Sequence, residues 1–326
     1  MPMYMKEVLK RYETDLSQVE EHLSRHLHSE ISLIPVVIQH LIASGGKRIR
    51  PLMLLASAEL CGYRGERRYP LSAVIEYIHT ATLLHDDVID SAETRRGKPS
   101  ANNVWGNSAS VLVGDFLYSR SFTLMTTDGD LAIIKLMSET TNIMAEGEVF
   151  QLMKCGDVGI TEEDYFTLIE KKTAVLMAAA CAVGGLLAGA QPAHVEALRS
   201  FGYKMGFAFQ LTDDTLDYVA AEKEFGKAIG MDLKEGKITL PLIRTLASCT
   251  AGEKEIIRGI VEKKQAGEED IRTVLAHIGK YDGIRYALDR AKTIVNEGKT
   301  LLAPFRDCEA KAAMTAMADF ILARSL

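Results

Sequence analysis

Proline is scarce, with 8 in 326 residues, and no run rich in serine, glycine and proline divides the chain. No linker between independent domains is therefore expected, and one large domain over 1–326 is. The 5 cysteines (Cys61, Cys155, Cys181, Cys249 and Cys308) are scattered and form no CxxC pair. Reduced structural thiols are the expectation. Excess positive charge is missing too, since the formal net charge is -6. That argues against a nucleic-acid binder working through bulk electrostatics. No secretory leader is expected, because Lys6, Glu7, Lys10 and Arg11 interrupt the start. Charge is absent from Ala174 to Ala190, a stretch at the lower edge of a membrane span. It is rich in alanine and glycine and is bracketed by Lys171-Lys172 and His194. A buried core helix fits it better. The expectation is a cytoplasmic protein, not an integral membrane one, with peripheral membrane contact open to it. Strand alternation and hairpin turn pairs are missing, as is a GxxxxGK[ST] phosphate loop.

What is present is helical. Hydrophobic residues make up 47% of the chain, ample for a large core. Leu71 to Asp90 is apolar at helical spacing and has no breaker. Asn107 to Thr127 repeats the pattern, with Asn107 or Ser108 as cap and Asp128-Gly129 as stop. Thr161-Glu162-Glu163-Asp164 has the form of a capped helix start. Glu196 to Tyr218 is long and apolar, and Lys254 to Lys264, Glu268 to His277, Ile284 to Leu302 and Lys311 to Ala323 are amphipathic. The fold class is all-α, a bundle of many helices.

Two segments echo one another, LLHDDVID and QLTDDTLD. Each carries a DDxxD pattern, Asp86 to Asp90 and Asp213 to Asp217. Positions i and i+4 of a helix share a face, about 6 Å apart along the axis. Asp86 and Asp90, with Asp87 alongside, form one acidic face, and Asp213, Asp214 and Asp217 form another. Such carboxylates repel each other, and burying them without partners would cost several kcal/mol. A bound cation relieves this. Hard oxygen donors without a His or Cys cluster favour magnesium, which shares its shell with water and phosphate oxygens. A di-iron bundle would want two Glu-x-x-His motifs, and only Glu76 to His79 fits. An HD-type phosphohydrolase could use His85-Asp86 but leaves the second motif unexplained.

Basic clusters accompany the acidic ones. Gly45-Gly46-Lys47-Arg48-Ile49-Arg50-Pro51 sets a flexible turn before three cations, and Arg95-Arg96 follows the first acidic motif. Lys172-Thr173, Gln210 and the Lys227 to Lys237 segment complete the set. Arginine offers a fork for phosphate and lysine a point charge. Cations beside carboxylates in two parallel arrangements imply two anionic substrates or substrate halves.

With these motifs in order, the chain resembles the trans-polyprenyl diphosphate synthases over nearly its whole length. The matching stretches are GGKRIRP (45–51), IHTATLLHDDVIDSAETRRGKPSANN (78–103), KKTA (171–174), FQLTDDTLDY (209–218) and GKAIGMDLKEGKITLPL (226–242). The resemblance implies an isoprenoid-synthase-type helical bundle with a central cavity, acting as a homodimer. It implies that Asp86, Asp90, Asp213 and Asp217 hold two or three magnesium ions on an allylic diphosphate. Lys47, Arg50, His79 and Arg96 match positions that hold isopentenyl diphosphate. Arg95, Lys172, Thr173, Gln210, Lys227 and Lys237 match positions around the allylic diphosphate. Asp86, Asp87, Asp90, Lys172, Asp213, Asp214 and Lys227 are the candidate catalytic residues. The bland alternative for His79 is a core histidine, but it lies nearly on the face of Asp86.

Chemically, cations would stabilise charge developing on departing diphosphate while the isopentenyl double bond attacks the allylic carbon. No Ser/His/Asp or Cys/His constellation is present, and none is needed. Ile75, Ile78, Thr82 and Asp86 fall on one helical stripe, which suits a wall along a growing tail. Family experience places chain-length control four and five residues before the first aspartate, at Thr82 and Ala81, both small. Small residues there suggest an open channel, and HTATLLHDDV is similar to octaprenyl- and solanesyl-type synthases of quinone side chains. Phe122 or Met125 on the next long helix is the candidate floor, or else both are ordinary core. The competing classes are a shorter-chain synthase, a silent subunit of a heteromeric synthase, and a terpene cyclase or head-to-head condensing enzyme. Intact aspartates argue against the silent subunit, and GGKRIRP against a cyclase.

Overall fold

The computed structural model describes every residue except 1–2, 28, 43–47, 96, 224–230, 264–265 and 324–326, and only the backbone of 42, 220–223, 231 and 234. Lys47, Arg96 and Lys227 thus lie outside the described residues. Among the described residues the fold is all-α apart from one two-stranded hairpin. The backbone resolves into two compact units, each built from separate stretches. One comprises 1–141, 176–199 and 302–317, the other 142–175, 200–301 and 318–326.

The first unit is organised around the helix Arg68–Ile89, most of whose side chains are buried. It packs against Glu13–Arg25, Ile49–Leu60 and Asn107–Asp128. The Ile49–Leu60 helix buries Leu52, Leu54, Ala56 and Ala58 completely. Gly184 lies against it so closely that a β-carbon would stand 2.7 Å from the Leu54 carbonyl, which excludes any side chain there. Asn107–Asp128 runs antiparallel to Arg68–Ile89. Arg67, just before one helix, donates two hydrogen bonds of 2.7 Å to Asp128 at the end of the other. Ser110 Oγ donates to the Leu84 carbonyl at 3.0 Å near the opposite ends. The cap differs from the expectation. Gly106 (φ 84°) is the N-cap and Asn107 already helical, because glycine alone turns readily out of the preceding Ala101–Trp105 helix. Gly129 ends the helix in the left-handed conformation, as expected.

The second unit carries Glu162–Ile169, a π-helical turn over Glu170–Ala174, and helices Leu240–Ser248, Ala251–Val261, Glu268–Lys280 and Gly283–Thr300. Thr161 caps the first of these, with Asp164 reciprocating, as its sequence suggests. Thr250 and Glu253 form a second such box. The long helix Pro192–Lys223 extends beyond both expected ends. The uncharged run around Ala174 to Ala190 forms the helix Val175–Leu187, with Val175 to Val183 almost wholly buried. Among the described residues no helix is long and apolar enough to cross a membrane. All five cysteines are unpaired thiols.

Candidate functional site

The first acidic motif occupies the C-terminal end of Arg68–Ile89, with Asp90 as the C-cap, its N–H bonded to the Asp86 carbonyl at 2.8 Å. This is the negative end of a helix dipole, so three carboxylates here are unfavourable until a cation joins them. Asp87 points inward and is fully buried. Its Oδ1 accepts from Arg95 Nε and Nη2 at 2.7 and 2.6 Å. Its Oδ2 is buried with no hydrogen-bond partner. Burial pushes this carboxyl up, Arg95 pulls it back, and Asp86 and Asp90 push it further up. Arg95 reaches Asp87 through a hairpin absent from the sequence-based expectation, Thr94–Arg95 against Lys98–Pro99, with Gly97 (φ 75°) in the turn. The strands are two residues long, too short to show alternation.

His85 is turned aside from the aspartates. Its ring nitrogen Nε2 meets the Val111 carbonyl at 3.2 Å and Asp115 Oδ1 at 3.4 Å, and the ring stacks on Tyr118. That placement removes the HD-type reading. A β-carbon at Gly114 would stand 2.2 Å from His85 Nε2, so a side chain there would force the His85 ring to move. His79 is half-buried, about two turns before Asp86 on the same helix. Arg50, also half-buried, is the second residue of Ile49–Leu60. Ile78 and Ala81 are fully buried, and Thr82 is half-buried with its hydroxyl on the His79 carbonyl. The antiparallel register places Phe122 and Met125 level with the first turns of Arg68–Ile89, roughly 10 Å deeper than Ile78 at the helical rise. Met125 is fully buried and Phe122 partly so.

In the second unit the acidic motif lies inside Pro192–Lys223 and not at its end, since no breaker follows Asp217. Asp214 is buried, while Asp213 and Asp217, one turn apart, are half-buried. Both Asp214 oxygens are occupied. Tyr165 donates to Oδ2 at 2.7 Å, and Gln210 Nε2 donates to Oδ1 at 2.7 Å. Thr173 in turn donates to the Gln210 side-chain oxygen Oε1 at 2.8 Å. Burial pushes the Asp214 carboxyl up to about 6; the two donors lower it, and Asp213 and Asp217 raise it. Lys172 and Thr173 lie in the π-turn, whose extra residue re-aims both side chains out of regular helical register.

A cavity of about 120 Å³ collects Lys172, Thr173, Gln210, Asp214, Asp232 and Lys237 among its walls. Five of these were candidates from sequence. Lys172 is paired with Glu148 at 2.7 Å and Lys237 with Glu235 at 2.7 Å, both carboxylates that an anion could replace. Asp232 and Tyr165 were missed. The Asp232 N–H donates to Asp217 Oδ2 at 3.3 Å, and burial, then Asp214 and Asp217, push its carboxyl well above the usual range. The signal available was an aspartate inside the basic Lys227 to Lys237 segment, where Glu235 is the other acid. Tyr165 gave none, because its role depends on tertiary packing.

The donor chemistry fits magnesium. The acidic groups offer oxygen alone, and an unpartnered buried Asp87 oxygen lies beside Asp86 and Asp90. Among the described residues no three His, Cys, Asp or Glu side chains make a closed ligand set. Open carboxylate pairs suit an ion that completes its shell with water and phosphate.

The same architecture occurs in known proteins. The model of the family described as Polyprenyl synthetase matches residues 32–278. Octaprenyl diphosphate synthase of Escherichia coli (strain K12) is 40% identical over 310 residues, 95% of this chain and 96% of that protein. The crystal structure of a decaprenyl diphosphate synthase from Rhodobacter capsulatus superposes with a TM-score of 0.95 at 37% identity, covering 99% of each chain. That of a polyprenyl synthase from Caulobacter crescentus CB15, complexed with calcium and isoprenyl diphosphate, gives 0.94 at 38% identity, covering 100% of this chain and 99% of that one. With a match over most of its length and the acidic and basic motifs in order, the chain belongs to the polyprenyl synthetase family.

Proposed function

We propose that this protein condenses isopentenyl diphosphate head-to-tail with an allylic diphosphate, farnesyl diphosphate or similar, to give a long-chain all-trans polyprenyl diphosphate. The product range is about C30–C50 with octaprenyl favoured, in keeping with the long-chain relatives. One observation carries the reading: Lys172, Thr173, Gln210, Asp214 and Lys237 converge on one cavity beside Asp213 and Asp217. A diphosphate needs this mixture of cations, neutral donors and metal-binding carboxylates.

Asp86, Asp90, Asp213 and Asp217 are the residues that would hold magnesium, as two or three ions. Bound magnesium supplies charge neutralisation to the departing diphosphate. Asp87 and Asp214 act one step back, as anchors, Asp87 held through Oδ1 by Arg95 and Asp214 held through both oxygens by Tyr165 and Gln210. Lys172, Lys227, Lys237 and Arg95, with Thr173 and Gln210, bind and orient the allylic diphosphate. Lys47, Arg50, His79 and Arg96 hold isopentenyl diphosphate.

The allylic C–O bond breaks and its electron pair leaves with diphosphate. The isopentenyl double bond then forms a C–C bond to the allylic carbon. A proton leaves the resulting cation, to the released diphosphate, and restores a double bond. Side chains contribute by position, charge and exclusion of water, without a nucleophile. Ile78, Ala81 and Thr82 line the path of the tail, and Phe122 or Met125 closes it.

The whole of 1–326 acts as one synthase domain, a reading supported by a family match that runs from 32 to 278. The protein works in the cytoplasm as a homodimer, touches the membrane surface when its product leaves, and serves quinone side-chain synthesis. The test is condensation by purified protein supplied with both diphosphates and magnesium. Product must require all three, and chelation must abolish it. Product formed from one substrate alone would exclude the reading.

A further inference from the structure

Arg48 stands two residues before Arg50, which is assigned to isopentenyl diphosphate. Its guanidinium is gripped on two edges. Nη1 donates to Glu76 Oε1 at 2.5 Å, and Nε and Nη2 donate to Glu20 Oε1 and Oε2 at 2.6 and 3.4 Å. The Arg48 and Glu76 side chains are 12% and 8% exposed, so this pair is shielded from water. Arg48 is also one of three non-glycine residues described with positive φ (φ 47°, ψ 39°). A β-carbon crowds the backbone in that conformation, which persists only where the surroundings hold it.

The held point is where the chain enters the Ile49–Leu60 helix. The Arg48 carbonyl accepts from the Leu52 N–H at 3.0 Å, and Arg50 lies in that first turn. At the other end of the pair, Glu76 lies one turn before His79 on Arg68–Ile89. One side chain thus joins the helix carrying Arg50 to the helix carrying His79. Arginine suits the task because its planar fork serves two carboxylates at once, whereas a lysine offers one point charge.

We propose that Arg48 is a positioning residue for isopentenyl diphosphate: through Glu76 it fixes Arg50 and His79 in a single register. The inference rests on the assignment of Arg50 and His79 to that substrate.

The test compares Arg48→Gln, Arg48→Lys, Glu76→Gln and the double variant Arg48→Gln/Glu76→Gln in the full chain, with Arg50→Gln as control. Steady-state kinetics with magnesium are measured for each substrate in turn. Arg48→Gln should raise KM for isopentenyl diphosphate roughly tenfold and leave KM for farnesyl diphosphate within about twofold. Arg48→Lys should recover part of the loss. The double variant should match the worse single variant, since one interaction is removed twice. Equal movement of both KM values, strict additivity, or an unchanged isopentenyl KM would overturn the proposal. If Arg48→Gln does not fold, Arg48→Lys and Glu76→Gln decide by the same split. An Arg50→Gln variant with normal isopentenyl KM would sink the underlying substrate assignment instead.

Discussion

The Tyr165 hydroxyl donates to Asp214 Oδ2 over 2.7 Å within a buried pair. Gln210 holds the other oxygen, so the middle aspartate of the second motif is a fixture on which Asp213 and Asp217 turn outward. Tyr165→Phe should therefore cost about 1–3 kcal/mol of stability, the penalty for leaving a buried acceptor without its donor. It should also raise the magnesium concentration for half-maximal activity severalfold. A magnesium titration matching the unaltered protein would show that Asp214 need not be anchored for the motif to work.

Asp86→Ala and Asp213→Ala should each lower kcat by about 10²–10³-fold, the scale of losing one preorganised charge-stabilising group. The fold should survive, because each substitution relieves repulsion among neighbouring carboxylates. Turnover with matched circular dichroism checks both halves. Near-normal rates in either variant would remove that motif from the mechanism.

Ala81 is fully buried on the wall assigned to the tail. Ala81→Tyr should shorten the product, at a cost of about 1–3 kcal/mol for overpacking. Phe122→Ala, at the assigned floor, should lengthen it. Chromatography of the dephosphorylated products checks both. A chain length unmoved by Ala81→Tyr would sink the wall assignment.

Stability should show an acid-sensitive contribution from Glu253. Lys280 and Tyr281 hold its side chain at 2.6 Å each, and it completes the box with Thr250. These contacts hold its carboxyl far below the usual range. A depressed carboxylate contributes stability above its unfolded value, near 4.3, and that contribution fades as pH falls toward the folded value. Glu253→Gln should therefore lower Tm by about 1–3 °C at neutral pH. The gap should close below about pH 4. A gap that widens on acidification would contradict this assignment.

Both acidic motifs were legible in sequence because their chemistry is local: one helical turn brings Asp86 beside Asp90 and Asp213 beside Asp217. The Thr161 cap was legible for the same reason. What escaped depends on distant partners. Asp87 and Asp214 read as equals of their neighbours, and only packing shows them turned inward onto Arg95 and Tyr165. Asp232 hid among lysines. Arg48 read as one more cation in a basic cluster, and its left-handed backbone and grip on Glu76 arise from helices far apart in sequence. The π-turn that aims Lys172 and Thr173 leaves no trace in hydrophobic periodicity.

The most direct test of the account is the length of the chain the purified protein makes from farnesyl diphosphate and excess isopentenyl diphosphate with magnesium. All-trans products of about C30–C50 centred on octaprenyl are expected, made by a channel that begins below Asp86 and runs past small residues at Ala81 and Thr82. A product ending at C20, or no condensation at all, would contradict it.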